Sequence, residues 1–406
     1  MKMKTDDNFK KRLFGNESRY VQEVLSQEFR TSSGATMMKR LEAEFAERFN
    51  SKYAISFING TATMHAALEA MGVGVGDEVI VPPLTMSATS FAVLQAGATP
   101  VFADVDGKTF QIDPKSIELK ITSKTKAIIT VALYGLSPDM EPICALADKH
   151  GLNVVEDNAE CFLGYYKGKV AGTSGHCASF SFQSSKHLSS GEGGMLITDD
   201  LELANKIRRI QSLGYAGVSA SESKITKRDI QDPGYDRHVT MGWNYRMPEL
   251  CCAVALAQVE NILPLVARRQ KVAAIFESAT KNFHDWFTPQ HVPENCVNSY
   301  WTWVCKLDTS KVGWHHFRDT FVRNGGDGVY GAWKLTHLEP MFVNMNLLGR
   351  ERFISDENKA SYTLGCCPTA EFIQPQLLQF KTNYWDIDRA YEQADVLVQT
   401  LTELLP

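Results

Sequence analysis

Four hundred and six residues, 44% hydrophobic and 22% charged, suffice for two domains around a large core, and a net charge of −5 gives no reason to expect a nucleic acid or an anionic membrane as partner. No apolar run reaches the roughly 20 residues that span a bilayer, and the polar start MKMKTDDNFKKRLF lacks a secretory apolar segment. The nine cysteines include no CxxC, so neither a metal cluster nor a disulfide framework is expected, and the thiols read as those of a cytoplasmic protein.

In chain order, residues 17–49 read as two helices around the polar break Thr31-Ser32-Ser33-Gly34, with Leu41, Phe45 and Phe49 on one face. Tyr53 to Ile58 reads as a strand, followed by Asn59-Gly60-Thr61 and a helix that Gly72 closes. Strands are expected at Glu78 to Val81, Pro100 to Val105, Ala127 to Ala132, Asn153 to Glu156, Ala178 to Phe182 and Met195 to Thr198. Helices alternate with them at Ser87 to Ala96, Met140 to His150 and Leu201 to Leu213. This alternation, with near-continuous apolar strands, predicts an α/β fold with a mostly parallel sheet covered on both faces. Gly214 to Val239 has no clear period and reads as a long loop. Met247 to Ala274 reads as one long helix kinked near Pro264. A domain boundary in it, near residue 265, divides a large domain (1–265) from a smaller α/β domain (266–406) with strands at Tyr300 to Leu307 and Gly328 to Ala332 and a closing helix, Ile387 to Leu405.

Ligands collect at the carboxyl ends of strands in such sheets, and three chemical features fall there. Gly60-Thr61-Ala62 opens a helix, where free N–H groups and the positive dipole end favour an anion, although a plain strand-to-helix turn has the same sequence. Asp157 ends a strand, where it serves either a ligand or the next helix as N-cap. Lys186 lies in Ser179 to Gly194, SFSFQSSKHLSSGEGG, a wall of small polar residues in which a lysine can reach a ligand held against backbone amides.

These separated motifs resemble the DegT/DnrJ/EryC1/StrS family of sugar aminotransferases, of pyridoxal-phosphate (PLP) fold type I, from about Val21 to Ala274 and more loosely to the C-terminus. The resemblance implies that Lys186 bonds covalently to PLP and later moves a proton. It implies that Gly60, Thr61, Ala62 and Ser181 hold the cofactor phosphate and that Asp157 pairs with the pyridine nitrogen. The run Gly242-Trp243-Asn244-Tyr245-Arg246-Met247 matches the family's G-x-N-x-R-M. There the asparagine crosses to the neighbouring subunit's phosphate, so Asn244 implies a homodimer with shared sites; the bland alternative is a cap for the helix near Pro248-Glu249. Met86 stands where the family stacks an aromatic residue on the cofactor ring. Glu160 stands where the family has Gln or His near the phenolic oxygen. In the loop GVYGAWKLTHLEP, Tyr330, Trp333, Lys334 and His337 are candidates to face a sugar or amino donor, or to pack an interface.

The resulting expectation is an amino transfer from glutamate or glutamine to a keto-sugar attached to a nucleotide, cycling PLP through its amine form, PMP. A keto-inositol aminotransferase, a PLP- or PMP-dependent sugar dehydratase and a non-catalytic PLP-binding regulator are the alternatives. The dehydratase branch has histidine in place of the lysine; here His187 is one residue late, and a packed or surface histidine is expected.

Overall fold

A computed structural model of the chain describes residues 10–29, 36–222, 226 and 231–405. The polar break at Thr31 to Gly34 and part of the 214–239 loop lie outside them. The elements run α1 (Asn16–Ser26), α2 (Met37–Arg48), β1 (Tyr53–Phe57), α3 (Gly60–Ala70), β2 (Glu78–Val81), α4 (Ala88–Gln95), β3 (Thr99–Phe102), α5 (Pro114–Lys120), β4 (Thr125–Val131), α6 (Met140–His150), β5 (Asn153–Asp157), β6 (Tyr165–Tyr166), β7 (Lys169–Val170), β8 (Cys177–Ser181), β9 (Gly194–Thr198) and α7 (Leu201–Gln211). The second half adds helices Glu249–Glu260, Ile262–Thr280 and Ile387–Glu403 and strands β10 (Phe287–Pro289), β11 (Cys296–Val297), β12 (Thr302–Leu307), β13 (Tyr330–Gly331) and β14 (Leu377–Lys381).

The main sheet has seven strands in the order β1-β9-β8-β5-β4-β2-β3. The run from β3 to β8 is parallel, while β9 pairs antiparallel with both β8 and β1. Alternation along β8 explains the Ser-aromatic pattern. Ala178 and Phe180 enter a core with Phe45, Phe49 and Phe162 under α1, α2 and Glu249–Glu260. Ser179 instead faces α3, where it accepts from Thr63 Oγ1 at 2.5 Å and donates to the Gly60 carbonyl at 3.2 Å.

A second, antiparallel sheet has the order β10-β12-β14-β13 and an aromatic core of Phe276, Phe287, Trp303, Phe317 and Phe380. The segment between β13 and β14 returns to the main sheet: Leu335, Phe342, Tyr362 and Ile373 share a buried cluster with Val79, Val81 and Phe102.

Three sequence expectations change. The long helix at 247–274 is two helices, bent by 65° at Asn261. Pro264 has no N–H for the carbonyl of Glu260, so the ladder breaks there and Pro264 sits in the first turn of the next helix, where no donor is needed. The strand expected from Tyr300 begins at Thr302, because Tyr300 takes a left-handed conformation with φ 53°. The strand expected over Gly328 to Ala332 contracts to Tyr330–Gly331.

Candidate active site

The features expected at strand ends converge. Asp157 ends β5, Ser181 ends β8, and α3 begins directly after β1. Two glycines permit this crowding. A Cβ on Gly60 would stand 3.1 Å from Ser181 Cβ, and one on Gly194 would stand 2.6 Å from the Asn59 carbonyl, so the α3 turn and the ends of β8 and β9 lie in direct contact. Asn59 caps α3 by accepting the Ala62 N–H at 2.8 Å. That bond engages the Ala62 amide within the chain.

Lys186 points into the convergence. Its Nζ donates to Glu160 Oε1 at 3.2 Å and lies 4.4 Å from the ring centroid of Trp301. The second Glu160 oxygen accepts the Tyr134 N–H at 3.0 Å. Tyr134 reaches that position in a left-handed conformation, φ 64°, which costs a non-glycine residue on the order of 1 kcal/mol. Gly135 follows at φ 102°, where a Cβ would stand 2.4 Å from the Tyr300 nitrogen. This close approach lets Trp301 N–H bond the Tyr134 carbonyl at 3.1 Å and sets the indole over the lysine.

Asp157 is buried; one oxygen accepts from Thr89 Oγ1 at 2.9 Å and the other from the Ala159 N–H at 3.2 Å. Among the described residues no cation lies within ion-pair distance of it. Burial raises the pKa of both Asp157 and Glu160; the charge of Lys186 opposes the rise in each.

The backbone around the lysine is clamped by two arginines that sequence reasoning missed. Arg269 donates to the Ser185 and Lys186 carbonyls at 2.9 and 3.0 Å and to the Trp301 carbonyl at 2.7 Å. Arg12 donates to the Ser184 and Lys186 carbonyls at 2.7 and 2.5 Å. Burial lowers their pKa values to about 9 and about 10. Tyr134, Thr89 and Trp301 were also missed. Tyr134-Gly135 after a strand was the one available signal; nothing local marks Trp301 or either arginine.

The other candidates divide. Asn244 is exposed, bridges Ser212 through its backbone, and its side chain has no partner among the described residues. It does not cap the following helix, whose N-cap is Pro248 with no side-chain bond. Met86 is 55% exposed between β2 and α4. Trp333 packs beside Trp301, ring centroids 5.8 Å apart. Tyr330 and Lys334 are exposed. His337 is a correction to the substrate-facing set: it is fully buried against Phe102, with Nε2 3.1 Å from Glu371 Oε1. Its loop folds into the main core through Leu335 and Phe342.

His187 is also fully buried, Nε2 2.9 Å from the Ser299 carbonyl, beside Phe162. Burial, then the Arg269 charge, holds its pKa well below 6.5. The unfolded chain therefore takes up a proton near pH 6.5 that the folded chain refuses. Stability from this group is present above about pH 6.5 and lost as pH falls. His187→Gln, which can still donate to Ser299, is expected to flatten the decline in unfolding midpoint below that pH; equal slopes in both proteins would remove His187 from the acid response.

The model of the DegT/DnrJ/EryC1/StrS aminotransferase family matches residues 12–346. The chain belongs to this family. It is a PLP-dependent aminotransferase of fold type I. GDP-perosamine synthases from Escherichia coli O157:H7 and Caulobacter vibrioides are each 38% identical to it, over 289 residues (71% of this chain, 74% of that protein) and 297 residues (73% and 76%). Among solved structures, the aminotransferase from Psychrobacter cryohalolentis superposes with a TM-score of 0.83 at 30% identity over 95% of both chains. S. venezuelae DesV does so with 0.79 at 26% identity over 95% of this chain and 94% of its own.

Proposed function

We propose that this aminotransferase moves an amino group from glutamate or glutamine to the keto carbon of a nucleotide-linked keto-deoxysugar, with a GDP-sugar as the first substrate to test. The carrying observation is Lys186, held by Glu160 and Trp301 at the carboxyl edge of the sheet, near a buried Asp157 with no cation within ion-pair distance among the described residues. The GDP-perosamine synthases among its relatives support the choice of nucleotide.

The residues present fit PLP. A buried carboxylate without a cationic partner suits a protonated pyridine nitrogen. The Gly60 and Thr61 amides and the Ser181 hydroxyl suit the phosphate, Met86 offers a polarisable thioether to the ring, and Asn244 is a donor to the phosphate of the other protomer in a homodimer. When bound, PLP supplies an electron sink for the carbon that bears the amino group. Lys186 takes the proton from that carbon and returns it on the opposite half of the transfer. Glu160 steadies the charge that Lys186 gains and loses. Trp301 and Trp333 limit water at Nζ, and the arginine clamp keeps the lysine backbone fixed as the side chain moves. The free thiols support a cytoplasmic setting. His187, locked on Ser299, does not replace the lysine, which counts against the dehydratase reading.

The test supplies purified protein with PLP, glutamate and a GDP-linked keto-deoxysugar. The expected result is one 2-oxoglutarate per amino-sugar formed, and a keto-inositol accepted in preference would overturn the substrate class. For the homodimer, Lys186→Ala and Asn244→Asp protein are refolded together. Mixed dimers should hold one intact site, so activity should exceed the sum of the two variants; activity no greater than that sum means each site comes from one chain.

A further inference from the structure

Away from the lysine, Cys366 and Cys367 hold their sulfurs 3.8 Å apart, the first half-buried and the second buried. Cys367 belongs to the main core with Phe342, Tyr362 and Ile373. Its N–H bonds Glu371 Oε1 at 3.1 Å. The same carboxylate accepts the Gly365 N–H at 2.8 Å and meets His337 Nε2 at 3.1 Å. Three residues on, Gln374 donates to the Ala332 carbonyl at 3.0 Å. Trp333, the neighbour of Trp301, is thus held between two ties that both start in the short segment after the cysteines.

We propose that Cys366 and Cys367 are a redox-modification site, which peroxide closes into a disulfide, and that closure loosens the loop carrying Trp333. The Cys366 thiolate attacks one peroxide oxygen, the O–O bond breaks and Cys366 becomes a sulfenic acid; the leaving hydroxide takes up the one proton the thiol had lost and departs as water. Cys367 sulfur then displaces the hydroxyl from Cys366, and its proton leaves with the second water. Two thiols lose two electrons and two protons, and one peroxide becomes two waters. The two sulfurs are suited to these separate parts. The hydrogen bond from Cys367, aided by the Lys120 charge, lowers the Cys366 thiol against its burial, while that bond and burial push Cys367 up.

A disulfide needs its sulfurs about 2 Å apart. Closing the 3.8 Å gap draws Cys367 toward Cys366, away from its core position and its Glu371 bond. The displacement acts on Glu371, then on His337, and so on the loop that sets Trp333 against Trp301.

The experiment treats the full-length protein with a slight excess of hydrogen peroxide, blocks remaining thiols, and reads peptide mass and tryptophan emission. The peptide holding both cysteines should be lighter by two hydrogens, with a reversible red shift in emission, both undone by dithiothreitol and both absent in Cys366→Ala. Phenylarsine oxide, a dithiol probe, should bind one per chain and fail to bind that variant. The KM for the keto-sugar should rise several-fold on oxidation with kcat less affected; this last reading rests on the proposed function, whereas mass and emission do not. An unchanged peptide mass overturns the site, and a disulfide with unchanged emission, or the same shift in Cys366→Ala, overturns the coupling.

Discussion

Lys186→Ala is expected to lower amino transfer by at least about a thousandfold, the upper part of the range that positioned proton transfer supplies. The change removes the group that both holds and moves the proton. Among the described residues no other lysine pairs with Glu160 or lies over Trp301. The fold should survive, since the lost contacts are one ion pair at 3.2 Å and an indole face. The electrostatic consequence is separable from the catalytic one. Burial already raises Glu160, and Lys186 opposes that rise. Without the lysine, Glu160 holds its proton to higher pH. A carboxyl with a raised folded pKa gives stability that is present below its unfolded value, about 4.3, and lost as pH rises through the folded value. The variant should therefore lose stability toward neutral pH more than the parent does, and adding Glu160→Gln should cancel the difference. Near-normal turnover in Lys186→Ala would remove it from the chemistry; parallel stability profiles would remove the buried pairing.

Asp157→Asn should separate activity from stability. The shape is nearly conserved, and Thr89 Oγ1 can still find an acceptor in the amide. The negative charge that suits a pyridinium is gone, and a loss of about a hundredfold or more in single-turnover rate is expected with the phosphate end still held. In the protein freed of cofactor the sign reverses. Asp157 is buried with no cation within ion-pair distance among the described residues, and burial raises its pKa, so at neutral pH its ionisation works against folding. The cofactor-free variant should melt at the same temperature as the parent or higher. A parent-like rate, or a cofactor-free variant much less stable than the parent, would mean that Asp157 serves the fold instead.

Much of the large unit was legible in the sequence because its signals are local. Apolar runs of strand length alternating with helical periods define a parallel sheet, and the topology of such sheets brings strand ends together. Asp157, Ser181 and the Gly60 turn follow from being at those ends, and Lys186 follows from its motif. We propose, as the sequence suggested, that the chain divides near residue 265; the packing of Leu335, Phe342 and Ile373 against the main sheet shows that the later segment returns across that line. Periodicity cannot register such a return, since an apolar residue reads the same in either core.

What only the tertiary structure decided is the surrounding of the lysine and the fate of its neighbours. Trp301 lies 115 residues beyond Lys186 and reaches it because Gly135 admits the Asn298–Trp301 segment against a left-handed Tyr134. Arg12, near the start of the chain, and Arg269, well past its middle, meet at three consecutive carbonyls. His337 and His187 look like any surface histidine in the sequence, and only the packing shows that both are fully buried. Local patterns carry backbone periodicity and turn chemistry; contacts between side chains distant in sequence depend on how the packed layers close, and closure is a property of the whole chain.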